Sequence, residues 1–278
     1  MKIFITGGRG MVGNFLTRAF IERGDDVYSP SREELDITDR RKTIESIKNF
    51  KPDILVHCAA FTDVDGCEIN KNRAYLTNAI GTQYVAEGCA EVNCKMVYFS
   101  TDFVFDGKKD SPYSEMDTPN PLSIYGETKL LGEYYVSHFL RKFLILRVSR
   151  IFGEKGRNFA SSLPVLMKKE KKIVLTDDLI NSPTYVVDLV NAAIFLIKKD
   201  VCGIVNVCNK GECSWYGYAM KIKEILKIED VELIPVKFDE FNSKKAKRPN
   251  YSVLNTTLLE MLGFSMPEWE KSLQAFLI

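Results

Sequence analysis

The sequence predicts an α/β fold: a doubly wound parallel sheet followed by a smaller C-terminal α/β part. Over the first 150 residues, short apolar runs alternate with longer segments whose apolar residues recur at helical spacing. This alternation is typical of βαβ units and a parallel sheet. The apolar runs show no polar face, which fits strands covered on both sides. The chain has 278 residues, 45% hydrophobic and 27% charged, as expected for a folded protein of one or two domains.

The elements of the first half follow one another in strict alternation. The expected strands are Lys2–Thr6, Asp26–Tyr28, Asp53–Ala59, Met96–Ser100 and Phe143–Val148, and the expected helices are Met11–Arg23, Arg40–Phe50, Tyr75–Val92 and Ser123–Phe139. We therefore expect one domain over residues 1–150.

Beyond residue 150 the alternation is less regular. Strands are expected at Ile173–Leu175 and Ile204–Val207, and helices at Asp188–Lys198, Trp215–Leu226 and around Pro267–Leu277. No Gly/Ser-rich linker separates the two halves, which predicts close packing between them. We expect residues 151–278 to be mostly a substrate-binding part, with some segments returning to the core of the first domain.

Composition excludes several classes of protein. The net charge of +1 gives no electrostatic reason to expect a nucleic-acid or membrane partner, and no apolar run approaches the ~18–20 residues of a membrane-spanning helix. The seven cysteines form no Cys-x-x-Cys pair and are interpreted as small buried hydrophobes of a reducing compartment. Only His57 and His138 could supply imidazole, so no metal site is expected. We expect a cytoplasmic protein whose oligomeric state stays open, a homodimer being one alternative.

A glycine-rich loop follows the first strand. Gly7, Gly10 and Gly13 form G-x-x-G-x-x-G, with Met11 and Val12 opening the next helix. Without side chains the backbone can turn sharply and approach a pyrophosphate, whose charge the helix N-terminus favours. Because the triplet lies between a strand and a helix, it predicts dinucleotide binding in a Rossmann-type domain.

The end of the second strand indicates which dinucleotide is used. NAD sites typically place a carboxylate there, whereas this chain has Arg32 after Ser29 and Ser31. Arg32 could pair with a 2′-phosphate, although Glu33 and Glu34 follow it. NADPH is the favoured cofactor, and NADH stays open.

A catalytic constellation is predicted around the fourth expected strand and the helix that follows it. Tyr125 and Lys129 are four residues apart and share one helix face. An ammonium beside a phenol lowers the pKa of the phenol and fits it for proton transfer. Thr101 stands at the carboxyl end of a parallel strand, where ligands bind in such sheets.

With these motifs in place, the chain resembles the extended short-chain dehydrogenase/reductases, and among them the dTDP-4-dehydrorhamnose reductases. The matching blocks span nearly the whole chain. They are Thr6–Gly13, Glu34–Asp39, Pro52–Glu68, Ser100–Glu133 (STDFVFDG to YGETKLLGE), Asn181–Tyr185 with Asp188-Leu189, and Arg248-Pro249 with Ser252–Leu254.

The resemblance implies roles for individual residues. Tyr125 would protonate the C4 oxygen of a 4-keto sugar while the nicotinamide delivers hydride, Lys129 would hold the nicotinamide ribose, and Thr101 would orient the carbonyl. Further cofactor-binding residues would be Asp36, Ile37, Cys58, Ala59, Ala60 and Asn78. The expected substrate-binding residues are Thr101, Asp102, Phe103, Arg150, Asn158 and Arg248, the last within the basic cluster Lys244–Pro249.

The sequence leaves three alternatives to a dTDP-4-dehydrorhamnose reductase to consider. Dehydratases of the superfamily carry Thr-Asp-Glu, but here Phe103 follows Asp102. The regulatory subunit of methionine adenosyltransferase resembles the same family and acts as a binding partner. Finally, Arg150 stands where family reductases often carry a tryptophan, so the substrate could be a different 4-keto sugar nucleotide.

Overall fold

The computed structural model describes residues 1–156, 158–240 and 246–278. The strands are β1 (Lys2–Thr6), β2 (Asp26–Tyr28), β3 (Ile54–His57), β4 (Lys95–Thr101), β5 (Phe143–Val148), β6 (Ile151–Phe152), β7 (Lys172–Thr176), β8 (Thr184–Tyr185), β9 (Gly203–Asn206) and β10 (Glu232–Val236). The helices are α1 (Met11–Glu22), α2 (Arg40–Phe50), α3 (Val64–Ile69), α4 (Lys71–Ala74), α5 (Gly81–Val92), α6 (Ile124–Phe139), α7 (Phe159–Lys169), α8 (Val186–Lys198), α9 (Trp215–Ile225), α10 (Thr257–Met261) and α11 (Trp269–Leu277).

Six parallel strands form the central sheet in the order β2-β1-β3-β4-β5-β9. Helices α1 and α8 pack on one face, and α2, α5 and α6 pack together on the other. This arrangement confirms the predicted doubly wound α/β fold. The strand order reverses between β1 and β3, and ligands bind at the carboxyl ends of strands at such a switch point. Gly7 follows β1 there and Cys58 follows β3.

The C-terminal part has its own core. Strands β7 and β10 pair in one small parallel sheet and β6 and β8 in another, and α7, α9 and α11 enclose them. Strand β9 joins the central sheet beside β5, while α8 packs on α1. Segments from beyond residue 150 thus lie in the core of the first domain.

The boundaries differ from expectation in three places. The expected strand Asp53–Ala59 is limited to β3, because Cys58, Ala59 and Ala60 turn away to line a cleft. The expected helix Tyr75–Val92 begins with one π-helical turn, Tyr75–Ile80, before α5. Strand β10 was not anticipated because Pro235 argues against a strand, although an edge strand tolerates proline.

The structure bears on two expectations, that the chain has no membrane-spanning helix and that its cysteines are not paired. In the described ranges, none of the helices is long and apolar enough to cross a membrane. All seven cysteines are free thiols, and four of them are buried.

Candidate active site

The glycine loop brings two backbone segments into direct contact. Gly7 has a φ of +71°, and a Cβ there would lie 2.6 Å from the amide nitrogen of Ala59. A Cβ on Gly13 would lie 2.4 Å from the carbonyl oxygen of Gly7. Gly10 donates its N–H to that same carbonyl at 3.0 Å. Side chains would therefore fill the cradle at the start of α1, and its shape fits the pyrophosphate of a dinucleotide.

A cleft of about 240 Å³ opens beside this loop. It is lined by eight of the residues expected to bind cofactor: Gly7, Gly10, Arg32, Asp36, Ile37, Cys58, Ala59 and Ala60. Thr6, Pro30, Leu35 and Thr77 also line it and were not expected. Met11 and Val12 lie behind the cleft as the first residues of α1. Only the position of Thr6, at the end of a strand before the glycines, carried a signal in the sequence.

At the outer end of the cleft, arginine and carboxylate side chains are paired. Arg32 is exposed, and its Nη2 lies 3.4 Å from Asp36 Oδ2. Ser31 is buried, and its Oγ accepts the N–H of Glu34. Ser29 Oγ accepts the hydroxyl of Thr17 at 3.3 Å. Of Ser29, Ser31 and Arg32, Arg32 is therefore the one whose side chain lines the cleft.

Helix α6 is held at its N-terminus by two side chains. Ser123 Oγ accepts the N–H of Gly126 at 3.2 Å, and Glu68 Oε1 accepts the N–H of Ile124 at 2.8 Å. Both oxygens satisfy N–H groups of the first turn, and the negative charge of Glu68 is favourable at the positive end of the helix dipole. Glu68 was not predicted as part of the site, because it is 56 residues from Ile124 in the sequence. These caps fix the start of α6 and therefore the position of Tyr125 in its first turn.

Lys129 is buried between α6 and the sheet. Its Nζ lies 4.0 Å from the centroid of the Tyr98 ring. Burial lowers the pKa of Lys129 to about 7, while the charge of Glu133 acts to raise it. The Cys58 thiol, in the wall of the cleft, also faces this lysine, and burial raises the pKa of Cys58 to about 12. Lys129 thus adjoins the cofactor cleft.

Tyr125 differs from expectation in its protonation. Burial raises the pKa of Tyr125 well above its ordinary value, although a hydrogen bond with Thr101 acts to lower it. The predicted lowering of the Tyr125 pKa by Lys129 is therefore not seen, because desolvation dominates the shift. The phenol stays protonated at neutral pH, as a proton donor requires. Phe103 packs edge-on against its ring at 5.8 Å.

Asp102 was expected to contact substrate, but its carboxylate is buried and already bonded. It accepts hydroxyls from Thr101 at 3.1 Å, Ser149 at 2.9 Å and Ser252 at 2.6 Å. The exposed fraction of Asp102 is 2%, and burial raises the pKa of the carboxyl. The side chain ties the end of β4 to the β5–β6 turn and to the C-terminal segment, so its geometry supports positioning instead of substrate contact.

Two asparagines are likewise engaged within the protein. Asn78 is fully buried; its Nδ2 donates to Phe61 O at 3.0 Å and to Thr128 Oγ1 at 3.2 Å. It thus supports the helix turn carrying Lys129 without lining the cleft. Asn158 caps α7, accepting the N–H of Ser161 and donating to Gly153 O. Neither amide is directed at a ligand in this arrangement.

A second pocket, of about 280 Å³, lies in the C-terminal part. It is lined by Phe159, Val174, Leu175, Thr176, Leu179, Trp215, Phe238 and Arg248. Arg248 also forms a two-point ion pair with Asp65, its Nη2 lying 2.8 Å from Oδ2 and its Nη1 3.2 Å from Oδ1. Apart from Arg248, these residues were not predicted as site residues, because they are scattered over five elements and loops. Lys244 and Lys245 of the basic cluster lie outside the described residues.

Arg150 lies between the second pocket and the Asp102 cluster. Its guanidinium carbon is 3.9 Å from the centroid of the Trp215 ring, a stacking distance. Burial lowers the pKa of Arg150, and Asp102 acts to raise it. The residue adopts a φ of +37°. The Trp215 indole, contributed by α9, is therefore covered by Arg150.

Comparison with known proteins gives consistent matches over the full chain. A family model described as RmlD substrate binding domain matches residues 1–278. The spore coat polysaccharide biosynthesis protein SpsK of Bacillus subtilis (strain 168) is 36% identical, covering 99% of this chain and 96% of that protein. The dTDP-4-dehydrorhamnose reductase of Escherichia coli (strain K12) is 31% identical, covering 100% and 97%. The crystal structure of dTDP-4-dehydrorhamnose reductase from Bacillus anthracis in complex with NADP superposes with a TM-score of 0.95 at 37% identity, covering 99% and 98%.

Proposed function

The chain belongs to the RmlD substrate-binding-domain family, and from that premise we propose that it is an NADPH-dependent reductase. Its substrate is a dTDP-linked 4-keto-6-deoxy sugar, with dTDP-4-dehydrorhamnose the first candidate. The observation that carries the proposal is the assembly of Thr101, Tyr125 and Lys129 beside the cleft lined by Cys58. A related binding subunit would need the cleft but not a protonated tyrosine next to it.

The cofactor fits the cleft at both ends. The backbone of Gly7 and Gly13 would hold the pyrophosphate, and Arg32 would face a 2′-phosphate. The relative from Bacillus anthracis was crystallised with NADP. When bound, NADPH supplies the hydride that reduces the ketone.

The residues of this chain supply the proton and the orientation. Tyr125 holds its proton at neutral pH and donates it to the oxygen at C4, while Thr101 orients that oxygen by a hydrogen bond. Lys129, when protonated, stabilises the phenolate that Tyr125 leaves behind. Arg248, whose guanidinium fork matches phosphate oxygens, binds the diphosphate, and the aromatic residues Phe159, Trp215 and Phe238 enclose the rest of the nucleotide.

We further propose that the protein works in the cytoplasm and supplies a nucleotide sugar for cell-surface polysaccharide. We also propose that the chain divides near residue 150 into a cofactor-binding part and a substrate-binding part. The name of SpsK, a spore coat polysaccharide biosynthesis protein, supports this role. The near-neutral charge supports the expectation that nucleic acid is not a partner.

The proposal is tested by following NADPH oxidation at 340 nm with enzymatically prepared dTDP-4-dehydrorhamnose. Wild-type protein should turn over, and Tyr125→Phe should lose at least about 100-fold of that turnover, because the variant lacks the proton donor. NADPH affinity should survive in the variant. Wild-type-like turnover in Tyr125→Phe would contradict the role of this tyrosine. Turnover with other 4-keto sugar nucleotides but not with this one would redirect the substrate assignment.

A further inference from the structure

A buried ion pair lies one helical turn beyond Lys129, outside the site described above. Arg147 donates from Nε to Glu133 Oε1 at 3.0 Å and from Nη2 to Oε2 at 2.7 Å. The exposed fractions of the two side chains are 2% for Arg147 and 5% for Glu133. Ser100 Oγ also donates to Glu133 Oε1, at 2.5 Å. One carboxylate therefore receives three hydrogen bonds inside the protein.

The pair joins the elements that carry the catalytic residues. Tyr125, Lys129 and Glu133 follow one another at intervals of four and share one face of α6. Ser100 directly precedes Thr101 on β4 and lies opposite Arg147 on β5 in the sheet register. Glu133 thus connects α6 to the ends of both strands.

Stability alone is a poor reason for such a pair. The desolvation of two charges offsets much of their attraction, and well-packed apolar residues often serve a core at least as well. Apolar residues already adjoin the pair: the Phe105 ring centroid lies 5.1 Å from the Arg147 guanidinium carbon, and Ile145 and Ile204 line a pocket together with Glu133 and Arg147. The pair is better explained by its effect on the neighbouring lysine.

Lys129 meets few charges besides Glu133. His57, whose pKa burial lowers to about 3, is neutral at pH 7, and the Cys58 thiol is protonated. The phenols of Tyr98 and Tyr125 have pKa values raised by burial and are also uncharged. Among these neighbours in the described part of the chain, Glu133 is the anion, and it is held in place by Arg147.

We propose that Glu133 and Arg147 are positioning residues of the active site: together they fix α6 against β4 and β5, and Glu133, held in place by Arg147, keeps Lys129 charged beside the cofactor cleft. The proposal rests on the proposed function, since it concerns the same lysine. It goes beyond that function in assigning two residues that touch neither cofactor nor substrate.

The test is the pH dependence of NADPH affinity, measured by fluorescence titration without any sugar. Affinity should weaken as Lys129 loses its proton, and Glu133→Gln should move that midpoint down by about one pH unit. Arg147→Met leaves Glu133 uncompensated and should move the midpoint up. Glu87→Gln, which breaks the exposed ion pair with Arg40, is the matched control and should leave the midpoint in place.

Opposite shifts in the two variants would support the proposal, because a purely structural pair would not separate them by sign. Unchanged midpoints, or shifts in the same direction, would overturn it. Should a single variant fold poorly, the double variant Glu133→Gln with Arg147→Met removes both charges; a midpoint below wild type supports the proposal, and a wild-type midpoint contradicts it. Failure of the wild type to bind NADPH would instead contradict the proposed function.

Discussion

The cofactor cleft and the second pocket are made from different features of the polypeptide. The cofactor cleft is shaped mainly by backbone, where the loop after β1 meets the turn after β3 at Gly7 and Ala59. The second pocket is shaped by large side chains, among them Phe159, Trp215 and Phe238. A single added Cβ, as in a glycine-to-alanine substitution at Gly7 or Gly13, would therefore obstruct the cofactor cleft. The second pocket can change its ligand by exchange of side chains without a change of fold.

The residues proposed for catalysis are anchored to both parts of the chain. Tyr125 and Lys129 lie on a helix anchored to the central sheet, whereas the Asp102 cluster reaches through Ser252 to the C-terminal segment. Variants within one pocket should thus weaken one ligand and spare the other. The following substitutions test this separation.

The largest effect is expected for Gly13→Ala. Its Cβ would meet backbone atoms, the Gly7 oxygen at 2.4 Å and the Gly8 Cα at 2.8 Å, which cannot rotate away. An overpacking cost of about 2 kcal/mol corresponds to roughly a 30-fold rise in the Kd for NADPH. Calorimetry should find dTDP affinity unchanged. The control Gly217→Ala, whose Cβ would make ordinary contacts at 3.4 Å, should leave NADPH affinity unchanged; equal losses in both variants would contradict the account.

Arg248→Gln should affect the other ligand, weakening dTDP and sparing NADPH. Loss of a charge-assisted contact to diphosphate is worth about 1.5–3 kcal/mol, so dTDP affinity should fall by roughly 20-fold while NADPH affinity stays constant. Asp65→Asn distinguishes binding from structure, because it weakens the ion pair but keeps the arginine. An equally large loss in Asp65→Asn would show that the pair acts only by holding the chain in place.

Arg32→Ala addresses cofactor choice at the exposed end of the cleft. Removing the guanidinium should weaken NADPH by about tenfold and NADH by much less, because only NADPH carries the 2′-phosphate. Equal losses for the two cofactors, measured in parallel fluorescence titrations, would remove the reason for assigning NADPH. The surface variant Arg40→Ala controls for a general loss of positive charge.

The smallest effect concerns His57, the last residue of β3. His57 lies between Thr6 and Thr82, and burial lowers its pKa from 6.5 to about 3. The unfolded chain therefore binds more protons between these values, and the stability that His57 contributes is present above pH 6.5 and lost as the pH falls. From pH 7 to pH 5.5 the free energy of unfolding should drop by about 1.2 kcal/mol through this group. Urea unfolding of His57→Asn should show a shallower pH dependence; an unchanged slope would contradict the assignment.

Much of the cofactor site was predictable because its signals are local in sequence. The glycine triplet, the strand before it and the Tyr125–Lys129 spacing each lie within a few residues. The burial of Asp102 could not be predicted, because it depends on Ser149 and Ser252, which are 47 and 150 residues away. The lining of the second pocket was missed for the same reason, since packing between distant elements creates it.

Arg150 shows how a residue's environment can depend on a distant part of the chain. From sequence, the residue stands where an aromatic platform is expected. In the fold, its guanidinium stacks on the Trp215 indole at 3.9 Å. The comparison of one sequence position with a family pattern could not reveal this contact, because the two residues belong to different elements.

The central claim is reduction at C4 of the sugar with Tyr125 as the proton donor. It is tested most directly with NADPH that carries deuterium at both positions of nicotinamide C4, followed by NMR of the product from dTDP-4-dehydrorhamnose. The account predicts one deuterium at C4 of the sugar for each NADPH oxidised, and loss of this product in Tyr125→Phe. NADPH oxidation without deuterium in the sugar, or full product formation by the variant, would contradict it.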